Sequence, residues 1–386
     1  MNIRGKAYIA GAFEHPTRNA VDISLGQIHA DVARGALADA GIDKKDVDGY
    51  FCAGDSPGLG PLSMAEYLGL NPRHIDTTDT GGSAYLLAVG HAARAIADGK
   101  CNVALITLGG RPKASGRLSV GVPASNAPEV EFEVPYKPML AAMYAMVARR
   151  HMHEFGTTSE QLAWVKVAAS HHAQHNPHAV LRDVVTVDDV VSSPMVADPL
   201  HRLDCCVVSD GGGALVLVNP EIAKSLSRPK IAVRGAGEAL GHANGGKVRL
   251  TSSAAVHSGA AAFEEAGVRP SDIDYASIYD SFTISVVLAL EDLGFCEKGK
   301  GGAFVADGNL ISGVGKLPFN TDGGGLCNNH PGNRGGMTKI IEAVRQLRGE
   351  AHPAVQVADC SLALAHGTGG TLGSRHGCGT VVLERE

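Results

Sequence analysis

The chain has 386 residues, 44% of them hydrophobic and 19% charged, with a net charge of −6. At roughly 150 residues per domain, that length suits two or three compact units around a large core. The acidic balance and 5% aromatic content exclude a basic nucleic-acid surface and a base-stacking platform. No run approaches the ~18 apolar residues of a membrane span. Residues Met1 to Ala7 lack the apolar stretch of a signal peptide, and Glu384-Arg385-Glu386 is not a peroxisomal tripeptide. The expected compartment is the cytosol. Eight cysteines without a Cys-x-x-Cys spacing read as reduced, buried thiols.

In chain order, an alanine-rich helical stretch leads to Ala40-Gly41-Ile42-Asp43-Lys44-Lys45-Asp46-Val47-Asp48 and a short strand, Gly49 to Cys52. The same succession recurs at Ala266-Gly267-Val268-Arg269-Pro270-Ser271-Asp272-Ile273-Asp274 and Tyr275 to Ile278, which indicates an internal duplication. Thr77 to Thr80 reads as a short strand. Thr80-Gly81-Gly82-Ser83-Ala84 then forms a glycine-rich turn into an alanine-rich helix. Asn102–Gly110 and Cys360–Gly370 are apolar strands ending in glycines. From about Arg111 to Leu200 an insertion breaks the repeat, with a Pro-rich lead-in and then Met139, Met143, Met146 and Val147 at helical spacing, read as a core stripe. His171, His172, His175 and His178 have no cysteine or acidic partner at ligand spacing, so they predict a helix end rather than a metal site. Alternating strands and helices argue for an α/β fold in two halves, 1–225 and 226–386, the first holding the insertion at about 111–200.

Thr80-Gly81-Gly82-Ser83-Ala84 resembles the nucleophile turn of thiolases, Cys-x-Ser-Gly, with Gly81 where the cysteine stands. Gly323-Gly324-Gly325-Leu326-Cys327-Asn328-Asn329-His330-Pro331-Gly332 resembles the thiolase Gly-His-Pro segment. Gly367-Thr368-Gly369-Gly370 resembles the thiolase Cys-x-Gly-Gly, again with glycine for cysteine. Pro199 to Cys206, Ser209 to Ala214 and Tyr279-Asp280-Ser281-Phe282-Thr283 are similar to the sterol-carrier-type thiolases. Leu290 to Cys296 and Glu342 to Gly349 are similar to the bacterial lipid-transfer branch. The resemblance covers nearly the whole chain, in the family's order. It implies a thiolase-like α/β fold, with two duplicated halves stacked as helix, sheet, helix, sheet, helix. It also implies an inserted loop domain over a pantetheine tunnel and a homodimer built on the strand at Thr77 to Thr80. The substrate it implies is an acyl-CoA thioester, with no other cofactor and no metal.

Glycine offers no atom that can attack a thioester, so acyl-enzyme chemistry is closed at Gly81 and Gly367. The resemblance assigns His330 as donor to the thioester oxygen, and the N–H groups of Gly81 and Gly369 as an oxyanion hole. Tyr279 replaces an Asn or His, and a phenol can act as acid or base. Asp280 is expected to orient a neighbour or cap the following helix. His366, beside the lost second cysteine, is a proton donor unless strand alternation turns it away. Ser83 and Cys327 are the replacement nucleophiles to consider, Cys327 as the cysteine expected near the cleft. Enolate stabilisation without a nucleophile suits aldol cleavage or formation of a C–C bond α to a CoA thioester. Bacterial thiolase-like aldolases that shorten steroid side chains resemble this chain in lacking the cysteines and carrying Tyr-Asp-x-Phe. They imply a small zinc-ribbon and OB-fold partner, although His330 replaces their tyrosine in the glycine loop. Two alternatives stay open: acyl transfer through another nucleophile, and a non-catalytic acyl-CoA or lipid-binding scaffold.

Overall fold

The computed structural model describes residues 2–53, 56–116, 128, 131, 133, 139–243, 247, 249–332 and 335–386. Its first part runs β1 (Tyr8–Glu14), α1 (Leu25–Ala40), β2 (Gly49–Cys52), α2 (Pro61–Leu68), β3 (His74–Thr77), α3 (Ala84–Ala97) and β4 (Val103–Gly110). The insertion supplies α4 (Leu140–Phe155), α5 (Ser159–Ala173), α6 (Val187–Val191) and a hairpin of β5 (Met195–Ala197) with β6 (Leu200–His201). Most of its Pro-rich lead-in lies outside the described residues. The chain continues through β7 (Gly211–Val218), α7 (Pro220–Lys224), β8 (Ile231–Gly241), α8 (Ala255–Ala266) and β9 (Tyr275–Ile278). It closes with α9 (Thr283–Asp292), α10 (Gly301–Val305), α11 (Gly336–Arg348), β10 (Leu362–Gly370) and β11 (His376–Arg385).

The repeat read from the sequence performs the same local work twice. Gly41 and Gly267 end α1 and α8 at φ 66° and φ 65°, a left-handed cap that glycine adopts without a Cβ penalty. A single 3₁₀ turn follows each. Asp48 then accepts from the N–H groups of Asn102 and Val103 at 2.8 Å, tying the start of β2 to that of β4. Asp274 accepts from Ser361 and Leu362 at 2.9 Å, tying β9 to β10 in the same way.

The main sheet has the order β3-β2-β4-β7-β1-β8-β11-β10-β9. Within it β2 is parallel to β4, β4 antiparallel to β7, and β7 antiparallel to β1. The succession β9, β10, β11, β8 has the same directions. The two halves of this sheet, β3 to β1 and β8 to β9 in the order above, join only at Tyr8↔Ala232 and Ile9↔Ile231, so the sheet folds at that corner and its halves face each other elsewhere. Between them lie α3 and α11, each touching strands of both halves. Helices α1 and α2 cover one outer face, and α8, α9 and the insertion cover the other. This gives the stacked helix, sheet, helix, sheet, helix arrangement. β4 is buried at every position because both its faces are covered: Leu105 packs outward under α1, Ile106 inward against α3.

One expectation for the insertion changes in part. Of the predicted stripe Val147 is fully buried, but Met139 and Met146 are 58% and 53% exposed; α4 buries Tyr144, Ala148 and His151 alongside Val147. The histidines mark a helix end, as the sequence indicates: His171 and His172 lie in the last turn of α5, His172 is buried and accepts from the Ser312 N–H at 2.9 Å, and His175, past that end, stacks on His352. No helix among the described residues is long and apolar enough to cross a membrane.

Candidate active site

β9 points Tyr275 inward to the central helices and Ala276 and Ile278 outward. One residue past its end, Tyr279 keeps the inward direction, its N–H donating to the His366 carbonyl at 2.9 Å. Room for the ring comes from two glycines. A Cβ on Gly82 would lie 2.8 Å from the Tyr279 Cζ, and one on Gly335 2.8 Å from its Cε2. The phenol thus sits where the turns that open α3 and α11 come together.

His330 arrives from the other side. A five-residue π-type turn, Gly324–Asn328, shapes the glycine-rich segment before it. The His330 N–H donates to Ser209 Oγ at 2.9 Å, and Ser209 Oγ donates to Asn329 Oδ1 at 2.8 Å. Asn329 Nδ2 in turn reaches Glu14 Oε1 at 2.9 Å, so the N-terminal half helps hold this loop. The outcome is a direct contact: Tyr279 Oη and His330 Nε2 are 2.8 Å apart. Burial, with the Lys339 charge adding to it, pushes the imidazole down to about 4. Burial pushes the Tyr279 phenol well above its usual value. Both groups are therefore neutral near pH 7, with one proton held between Oη and Nε2.

Gly81 stands in the left-handed region at φ 66°, and a Cβ there would lie 2.7 Å from the Gly370 N and 3.0 Å from the Gly369 Cα. The missing nucleophile is thus built into the backbone, since the turn has no room for a side chain. Gly81→Cys should cost about 1–3 kcal/mol in backbone strain and gain no acylated thiol, as read by thermal denaturation and by mass spectrometry after incubation with acyl-CoA.

Of the two backbone amides expected near the thioester oxygen, only one is free of the strand ladder. Thr371 N–H bonds to the Arg375 carbonyl, so by antiparallel alternation Gly369, paired with Gly377, spends its N–H in the ladder with β11. The amide that faces Gly81 is that of Gly370. The Gly81 N–H itself has only a long contact, 3.4 Å, to Asp79 Oδ1.

The remaining predicted side chains fall outside the Tyr279–His330 contact. Alternation along β10 turns His366 to the outer face, away from the Gly81 turn. There its Nδ1 meets Thr380 Oγ1 at 2.9 Å, and Thr380 meets Ser258 of α8. Ser83 is buried and donates to the Thr80 carbonyl at 2.9 Å, with no imidazole to activate it. Cys327 is fully buried, its thiol pKa raised by burial, with Sγ 3.2 Å from the equally buried Lys166 ammonium. The half-buried cysteine within electrostatic reach of Tyr279 is Cys206, and burial raises its thiol too. Asp280 caps the Gly324–Asn328 turn rather than α9, accepting from the N–H groups of Gly325 and Leu326 at 2.7 and 3.0 Å. Sequence reasoning missed Ser209, Asn329 and Lys339. The first two lie inside quoted motifs but were given no role: Asn329 precedes His330 directly, whereas Ser209 lies 121 positions away and only the fold brings it there.

Comparison with known proteins places this geometry in context. Residues 232–385 match the family model "Thiolase C-terminal domain-like". An acetyl-CoA acetyltransferase of Methanothermobacter thermautotrophicus is 34% identical over 92% of this chain and 93% of its own. A steroid side-chain-cleaving aldolase of Thermomonospora curvata is 35% identical over 84% of this chain and 85% of its own. A solved "Ltp2-ChsH2(DUF35) aldolase" superposes with a TM-score of 0.88 at 32% identity, covering 99% of this chain and 98% of that one.

Proposed function

The chain belongs to the thiolase superfamily, and from that premise we propose that it is an acyl-CoA lyase making or breaking the C–C bond α to the thioester by aldol chemistry. The observation that carries this reading is the 2.8 Å contact between Tyr279 Oη and His330 Nε2, set beside a turn that cannot hold a nucleophile. In the cleavage direction a β-hydroxyacyl-CoA places its hydroxyl on Tyr279. The hydroxyl proton passes to Tyr279 Oη while the phenol proton passes to His330 Nε2. The Cα–Cβ bond breaks, its electron pair becomes the thioester enolate, and the β-carbon leaves as a carbonyl product. The enolate oxygen is received by the N–H groups of Gly81 and Gly370. Return of the proton to Cα completes the acyl-CoA product and restores the pair. A neutral imidazole suits this role because only the unprotonated Nε2 can accept.

The acetyltransferase relative keeps acyl transfer as the second reading, which needs a thiolate that the buried, high-pKa Cys206 and Cys327 do not readily supply. The test is a panel of β-hydroxyacyl-CoA thioesters and the matching carbonyl plus acyl-CoA pairs, assayed with and without a co-expressed zinc-ribbon/OB-fold protein. Carbonyl release without consumption of free CoA supports aldol cleavage, whereas strict dependence on free CoA supports transfer. The partner follows from the solved relative, a complex by its printed name. The outer side of β3 ends the sheet, with Ile75 43% exposed, and an open edge of this kind suits pairing with a second copy. Light scattering that gives a monomer at micromolar concentration would remove the dimer.

A further inference from the structure

We propose that Lys339 is a positioning residue for the Tyr279–His330 pair. Its buried ion pair with Asp280 locks the turn carrying His330 to the end of β9, and sets a fixed positive charge behind the imidazole. The inference rests on the reading of that pair as the reacting groups.

Three elements meet at this ion pair. Asp280 follows Tyr279 directly in the chain, and its two oxygens take the N–H groups of Gly325 and Leu326. A Cβ on Gly325 would lie 3.1 Å from Asp280 Oδ1 and 3.2 Å from His330 Cδ2, so carboxylate and imidazole close on the same glycine. Lys339 comes from α11, whose leading Gly335 packs on the Tyr279 ring, and its Nζ reaches Asp280 Oδ1 at 3.1 Å. Asp280 and Lys339 are both 1% exposed. Loss of the ammonium would leave the carboxylate that holds the turn through Gly325 and Leu326 without its buried cationic partner.

The charge also acts on the imidazole. The titratable and charged groups packed around the turn are Tyr279 and Asp280 from the end of β9, Asp322 and Cys327 within the loop, Cys206 beside it, Lys166 from α5, Glu14 from β1, and Arg18, whose guanidinium donates to Asn328 Oδ1. Among these and Lys339, the charge that bears on His330 is Lys339, which adds to burial in keeping the ring unprotonated. A purely structural lysine would support the fold without moving that titration.

The test uses the full-length protein with ¹³C-labelled histidine, reading the His330 titration by NMR with His330→Asn for assignment, and the pH–rate profile beside it. Lys339→Met is expected to raise the His330 midpoint by about one pH unit or more, moving the acid limb of kcat up with it. Lys339→Arg, which keeps the charge, should leave the midpoint near the wild-type value. Lys339→Met with Asp280→Asn removes the buried carboxylate that Lys339 pairs with directly, which lessens the risk of a failure to fold; its midpoint should also rise. An unchanged midpoint in both charge-removing variants overturns the proposal, as does a rise in Lys339→Arg equal to that in Lys339→Met. The NMR arm needs no substrate. A wild-type protein inactive on every thioester would therefore refute the aldol reading while the test of Lys339 still stands.

Discussion

Replacing Tyr279 by Phe is expected to lower turnover by about 10²–10⁴ while leaving acyl-CoA affinity within a few-fold. The substitution removes only Oη, so the ring still fills the space left by Gly82 and Gly335. What disappears is the one group placed to pass a proton to His330 Nε2, 2.8 Å away. His330→Ala removes the acceptor and should cost about 10²–10³ or more. Because the two act as one hydrogen-bonded unit, the double variant should be little worse than the poorer single, not the product of both. Steady-state kinetics on one active thioester checks all three. Independent, multiplicative losses would show that the residues act on separate parts of the substrate.

The protein should lose about 7 kcal/mol of stability between pH 6.5 and 4.5. His29, His172, His330 and His366 are pushed by burial to about 4, 4, 4 and 3. In the unfolded chain each would titrate near ~6.5. Below that pH the unfolded state takes up protons that the folded state refuses, so stability falls with pH by about 1.4 kcal/mol per unit for each group. Glu342 works the other way: burial raises it to about 7, so the folded state binds the extra proton and offsets roughly one histidine. His91, held between Asp76 and Glu238 and raised to about 9, is already protonated in this range. Its contribution is complete below about pH 6.5 and is lost only as pH climbs through about 9. Urea unfolding at pH 7 and pH 4.5 measures the difference. Equal stabilities would mean that these imidazoles are not buried neutral.

The duplication was legible because it repeats a mechanism as well as letters. Gly41 and Gly267 are helix caps, and Asp48 and Asp274 are strand ties, each recognisable from chemistry that local sequence dictates. Tyr279 and His330 were legible as residues but their contact was not. They lie 51 positions apart, and what brings them together is the path of the Gly324–Asn328 turn. His366 depended on which face of β10 looks inward, and that is fixed by packing on α3 and α11 rather than by period. Lys339 was hidden by its helix. With Met337, Ile340, Ile341 and Val344 on one side and charges on the other, α11 reads as a surface helix. It lies instead in the middle layer, which buries Thr338, Lys339, Glu342 and Gln346 as well and forces each polar group to find a partner inside.

The central claim is that carbon–carbon chemistry proceeds here without an acyl-enzyme. Its most direct test is intact-mass spectrometry of the protein quenched during turnover, followed by peptide mapping. The account predicts an unmodified chain at every time point while carbonyl product accumulates. A substrate-derived acyl group mapped to Cys206, Cys327 or Ser83, and lost together with activity when that residue is replaced, would contradict it.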